Sequence, residues 1–167
     1  MMKKLICTML AVLMLLSMLA CETEPTENKG ASFSAFSVGG VSIALDAEAE
    51  PILSALGAPN ASAETNSCFG DGKDKIYEYT SFKVQTYSSS GKDYILSVEI
   101  YNDADASIAT PEGVRVGSSE DDVVAKLGEP SSRGEGQMVY LNAAAKTKLQ
   151  ILTRDGAVTN IQYLKTE

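Results

Sequence analysis

The chain has 167 residues and a formal charge of −8, with 22 acidic side chains against 14 basic ones and no histidine. An acidic chain is repelled by phosphate backbones and anionic headgroups, so neither nucleic acid nor an electrostatically docked membrane is an expected partner. The missing histidine excludes a Ser-His-Asp triad, a Cys-His pair and every His-ligated zinc site.

Residues 1–20 read as a signal peptide. Lys3 and Lys4 supply a positive start, and Leu5 to Leu19 is apolar except for Thr8 and Ser17. That run is shorter than the roughly 20 residues a spanning helix needs, and its flanks fit a cleaved signal. Its end, Met18-Leu19-Ala20-Cys21, resembles a lipobox, in which the cysteine is lipidated and becomes the new N-terminus. The resemblance implies fatty acyl chains, palmitate among them, on Cys21, and several chains anchor stably where one does not. The expected location is the outer face of the bacterial cytoplasmic membrane, or the outer membrane in a Gram-negative source. Losing Lys3 and Lys4 takes the charge from −8 to −10. Cys7 leaves with the signal and Cys21 is lipidated, so Cys68 stands alone and no intramolecular disulfide is expected.

Residues 21–32 are polar and acidic, with Pro25 and Gly30, and read as a flexible tether. As a coil it would hold the folded part of the chain roughly 20 Å from the lipid. The remainder is read as two tandem repeats, residues 33–109 and 110–167. Gly40-Val-Ser-Ile43 and Leu56-Gly57-Ala58-Pro59 in the first correspond to Gly113-Val-Arg-Val116 and Leu127-Gly128-Glu129-Pro130 in the second. Between them, Ile52, Leu53 and Leu56 match Val123, Val124 and Leu127, one apolar face of a short helix. Gly57 and Gly128 suit a helix end at positive φ, and Pro59 and Pro130 block continuation. Ser118 or Ser119 is placed to cap the second helix, with Glu120, Asp121 and Asp122 in its first turn.

After each helix comes strand-like sequence rich in β-branched and aromatic residues. The first repeat offers Lys75 to Thr80, Phe82 to Tyr87 and Tyr94 to Tyr101; the second offers Gln137 to Asn142, Thr147 to Thr153 and Ala157 to Leu164. Asp155-Gly156 is a two-residue hairpin signal, and Ser88 to Asp93 reads as a longer equivalent turn. The fold class expected is α+β, each repeat a short helix on an antiparallel meander of about three strands.

A Gly-Val-x-Val/Ile lead-in, a helix ending Leu-Gly-x-Pro and a meander resemble one repeat of the SmpA/OmlA lipoproteins. They also resemble β-lactamase inhibitor protein, which carries two such repeats. Cys68-Phe-Gly-Asp-Gly-Lys-Asp-Lys-Ile-Tyr77-Glu-Tyr79 and Thr110-Pro-Glu-Gly113 are similar to lipoproteins of Gram-positive gut bacteria. The resemblance implies fold more than activity, and no inhibitory residue carries over.

Tyr77, Tyr79, Tyr87 and Tyr140 are the candidate binding residues, because an exposed tyrosine row on a sheet makes a protein-binding surface. Packing beneath the helices or in cross-strand pairs is the competing reading. Cys68 has Lys73 and Lys75 near it in sequence, yet a free cysteine is usually a small buried residue. Asp71-Gly72-Lys73-Asp74 and Asp103-Ala-Asp105 lack the EF-hand pattern and read as solvated turns. No metal and no cofactor is expected. The leading expectation is a non-enzymatic binding or assembly module that recognises an extracytoplasmic protein or a cell-wall component. The alternative is an inhibitor of a secreted enzyme, and a carboxylate-dependent hydrolase comes third.

Overall fold

The structure is a computed structural model, and it describes residues 35–67, 69–102 and 107–166. Cys21, Cys68, Asp103 and Asp105 lie outside the described residues. Among the described residues no helix is long and apolar enough to cross a membrane.

The architecture is mostly β: an eight-stranded antiparallel sheet, a two-stranded sheet and two helices. A hairpin comes first, β1 (Ala35–Val38) and β2 (Val41–Ala44), closed by Gly39 and Gly40 at φ 56° and 84°. Helix α1 (Ala49–Leu56) is followed by β3 (Ala61–Asn66), β4 (Lys73–Glu78), β5 (Phe82–Ser89) and β6 (Lys92–Tyr101). Helix α2 (Glu120–Leu127) is followed by β7 (Ser132–Gly134), β8 (Gln137–Asn142), β9 (Thr147–Arg154) and β10 (Ala157–Lys165). The strand order is β3-β4-β5-β6-β10-β9-β8-β7. Each helix therefore precedes a four-stranded meander rather than one of about three strands. The two meanders meet where β6 pairs with β10, with Ile100 opposite Ile161 and Val98 opposite Tyr163.

Alternation puts apolar side chains on one face of the sheet. Val84, Ile95, Val98, Ile100, Leu149, Ile151 and Ile161 are fully buried there. The hairpin covers the middle of this face through Phe36 and Ile43, and Phe36 stacks on Tyr163 at 5.7 Å. Lys83, Gln85, Glu99, Gln150 and Gln162 take the opposite face, where Lys83 pairs with Glu99. Strands with one solvated face are what an antiparallel sheet permits.

Helix α2 is capped as its sequence suggests, with the Ser119 hydroxyl accepting from the Asp122 N–H at 3.1 Å. Gly57 and Gly128 both close their helices at φ 80°, conformations that need no Cβ. Three expectations need correction. The turn between β5 and β6 is the two residues Ser90-Gly91, at φ 53° and 76°, matching Asp155-Gly156 at φ 53° and 76°. Ser90 accepts the left-handed conformation, so the strands run on to Ser89 and Lys92. Gly113 to Val116 forms no strand, unlike Val41–Ala44. Pro111 has no N–H to give a ladder, and the segment folds on itself through Gly113 N–H to Thr110 O and Thr110 N–H to Val114 O. Finally, the two helices are not equally buried: Leu127 is 7% exposed, whereas Ile52, Leu53 and Leu56 only flank the core.

Candidate functional site: a groove between α1 and β4

The unequal burial of the helices creates the site. Helix α1 rests on β2 and β6. It does not reach across to cover the apolar-side face of β4, and a groove of about 730 Å³ remains between them. Tyr77 sits opposite the buried Val84 in the β4–β5 register, so its ring stands on the face that the helices share. Tyr79 follows two residues on and stacks flat against Phe82, with centroids 4.5 Å apart. Tyr77 lies near the end of β4 and Tyr79 just past it, and both line the floor of the groove. Both are half-buried. Leu53, Ser54 and Gly57 form the helix wall, and Pro59 closes one end. The Tyr79 hydroxyl donates to the Gly57 carbonyl at 3.4 Å, which ties floor to wall.

The other end carries charge. Glu48 pairs with Lys92 at 3.0 Å, and Asp93 pairs with Lys75 at 2.7 Å. Burial alone would raise the Asp93 pKa, but hydrogen bonds from Lys75 and Ser88 and the lysine's charge outweigh it and hold the carboxyl below its usual value. The hydrogen bond to Asp93 raises Lys75 in turn. Glu50 lines the groove and is exposed. Burial raises the phenol pKa of Tyr77 and of Tyr79, so both hydroxyls stay protonated at neutral pH. The arrangement offers ring faces, phenol hydroxyls and ion-paired side chains, which are groups that hold a ligand by stacking and hydrogen bonding.

The corresponding place beside α2 is filled. Strand β8 is the second strand after α2, as β4 is after α1. Its inward side chains, Met138 and Tyr140, are 1% and 0% exposed and belong to the same buried cluster as Val123 and Leu127. The Tyr140 hydroxyl donates to the Gly128 carbonyl at 3.1 Å.

The four candidate tyrosines therefore separate. The structure brings Tyr77 and Tyr79 together in the groove and removes Tyr87 and Tyr140 from the surface. Tyr140 is core because α2 sits down on β8. Tyr87 is 8% exposed because Phe69 packs edge-on against it at 5.4 Å and Lys165 lies 4.8 Å above its ring. Its hydroxyl bonds to Asp46, which also holds Lys165 at 2.7 Å. The Asp71–Asp74 segment is not wholly a solvated turn. Lys73 and Asp74 open β4, where Asp74 is 5% exposed, while Asp71 remains on the surface. Sequence reasoning missed Glu50, Leu53, Ser54, Lys92 and Asp93 as lining residues. Two Tyr at i and i+2 were the one local signal for this site. Among the described residues no group of three or more His, Cys, Asp or Glu could hold a metal ion.

No family model matches the chain, and no curated protein matches it. The chain is similar to a crystal structure of an extracellular protein containing a SCP domain from Bacillus anthracis str. Ames, with 12% identity and a TM-score of 0.41. The alignment covers 72% of this chain and 44% of that one, so this chain spans under half of that protein's length. A similarity at that level establishes neither fold nor activity here.

Proposed function

We propose that this chain is a non-enzymatic binding module, held outside a bacterial membrane by lipid on Cys21, which takes its partner in the groove over Tyr77 and Tyr79. The contrast between the halves carries this reading. At equivalent places in the order of elements, one strand buries its inward side chains and the other leaves two aromatic rings half-open. A half-open aromatic floor with one charged end is how ligand sites are built, and exposed apolar patches mark interaction. The partner is an extracytoplasmic protein or a cell-wall component.

In this reading the chain is two tandem helix-plus-meander repeats, of the kind found in SmpA/OmlA lipoproteins and β-lactamase inhibitor protein. Three observations support it: the same order of helix and four strands on each side of the seam, Gly57 and Gly128 at φ 80°, and Tyr79 and Tyr140 each bonded to its own helix-ending carbonyl. The second repeat then serves as scaffold and the first as receptor.

The test is photocrosslinking in the native membrane. A benzophenone amino acid replaces Ser54 on the groove wall, or Gln162 on the opposite face of the sheet. The expected result is a discrete adduct with a protein or a wall fragment from position 54 alone. Identical adducts from both positions, or none from either, would remove this reading.

A further inference from the structure

We infer that the groove between α1 and β4 binds a neutral oligosaccharide whose sugar rings stack on Tyr77 and Tyr79. The inference rests on the binding-module reading and narrows it to one class of ligand.

Three features of the groove select that class. The first is charge. Lys92 pairs with Glu48 and Lys75 with Asp93, which leaves Glu50 as the lining carboxylate with no ion pair among the described residues. An acidic ligand meets a net negative site on a chain of charge −8. A strongly basic ligand meets only the solvated Glu50, and an exposed pair of that kind is worth little. An uncharged ligand loses nothing to either.

The second is the backbone. Strand β4 is paired with β3 over Lys73–Glu78 and with β5 over Lys75–Glu78, so that Tyr77 has a neighbour on both sides. Its N–H and C=O groups are spent in the ladders, and Pro59 at the end of the groove has no N–H to offer. An extended peptide gains affinity chiefly from a free main-chain edge, and the groove floor supplies none. Recognition must come from side chains.

The third is the mixture of side chains. Tyr77 and Tyr79 both line the groove, Tyr79 with one ring face stacked on Phe82, and the ring surface left to them suits the flat C–H faces of sugar units. The pairs Glu48–Lys92 and Asp93–Lys75 each set an acceptor beside a donor, the pattern that neighbouring hydroxyls on a sugar ring satisfy. A lipid tail would leave these charged groups desolvated, so the site is too polar for one.

The test uses the full chain, extracted from its membrane in a detergent without a sugar headgroup and labelled with 3-fluorotyrosine. The chain has seven tyrosines, and the fluorine signals are assigned with single Tyr→Phe variants. The probes are trisaccharides of N-acetylglucosamine, of β-glucose and of α-glucose, with an uncharged proline-rich peptide as control. The expected result is saturable movement of the Tyr77 and Tyr79 signals with at least one trisaccharide, while Tyr140 and Tyr163 stay fixed. Tyr77→Ala should weaken that binding about tenfold or more. Ser54→Trp, exposed on the helix wall, should block it without touching the floor, which keeps the test valid if Tyr77→Ala is unstable. Stationary Tyr77 and Tyr79 signals with all three sugars at about 10 mM, which would half-fill a site with a Kd of about 10 mM, would overturn the inference. Movement with the peptide and not with the sugars would also overturn it, yet would leave the binding-module reading standing. Failure of that broader reading is read separately, in the crosslinking at position 54.

Discussion

The Tyr140 hydroxyl donates to the Gly128 carbonyl at 3.1 Å, and so links β8 to the end of α2. The ring is fully buried, and burial pushes its phenol pKa up to about 12. Replacing Tyr140 with Phe should cost about 1 kcal/mol, the usual value of one internal hydrogen bond. Urea melts of a soluble chain beginning at residue 33 would measure it.

The same shift predicts an alkaline limb. A folded-state pKa above the unfolded value of about 10 means that the folded chain holds this proton more tightly. The stabilisation is complete below about pH 10 and is lost as the pH rises towards about 12. Tyr140→Phe should reduce that limb in melts between pH 9 and 12. The buried Tyr163, whose phenol pKa burial also raises, supplies part of what remains. An unchanged limb would show that Tyr140 contributes nothing to it.

Leu127 and Leu56 end their helices at corresponding positions but differ in burial. Leu127→Ala should cost about 2–5 kcal/mol, the range for a buried leucine. Leu56 is half-buried and only flanks the core, and its replacement by Ala should cost less than about 2 kcal/mol. Equal losses in urea melts would contradict the looser seating of α1.

How much of this could be read from the residues depends on what stabilises each element. Strands β4, β5, β6, β8, β9 and β10 are rich in β-branched and aromatic residues and were legible within a few positions. Strands β3 and β7 were not. Ala61-Ser-Ala-Glu-Thr-Asn66 and Ser132-Arg-Gly134 are exposed throughout and form the two edges of the sheet. Only the ladder to a neighbour makes them strands, and local composition carries no trace of that. The turn at Ser90-Gly91 carries a Ser-Gly signal, but the run of Ser and Gly around it reads equally as a longer loop, and only the ladder out to Ser89 and Lys92 fixes it at two residues. In the site, the shared face of Tyr77 and Tyr79 followed from period two. Tyr140 obeys the same period on β8 and is core. What separates them is where each helix comes to rest, a tertiary outcome that neither strand encodes.

Lys165 fastens the end of β10 to the turn before α1. Its ammonium reaches Asp46 at 2.7 Å and the Tyr87 hydroxyl at 3.0 Å, and it lies over the rings of Phe69 and Tyr87. Lys165→Met keeps the stem and removes the charge. Because Asp46 is half-exposed, the expected loss is only about 1 kcal/mol. Burial alone would raise the Asp46 pKa, but hydrogen bonds from Lys165 and Tyr87 outweigh it and lower it. Stability from this carboxylate is therefore present above its unfolded value of about 3.9 and is lost as the pH falls through the lower folded value. Melting temperature should drop below about pH 4, and less so in Asp46→Asn.

The anchor has its own test. Cys21→Ala should abolish labelling by an alkyne fatty acid and displace the chain from its membrane, while residues 35–166 melt as before. Labelling that persists in Cys21→Ala would place the lipid elsewhere or remove it from the account.

Tyrosine nitration, read by mass spectrometry, tests the receptor groove most directly. The chain is nitrated once in intact cell envelopes and once after purification. Tyr77 and Tyr79 should be shielded in the envelope and react after purification, because a partner occupies the groove in place. Tyr140 and Tyr163, at 0% and 1% exposure, should stay unreactive in both. Equal reactivity of Tyr77 and Tyr79 in envelope and in isolation would mean that nothing occupies the groove, and would contradict the account at its centre.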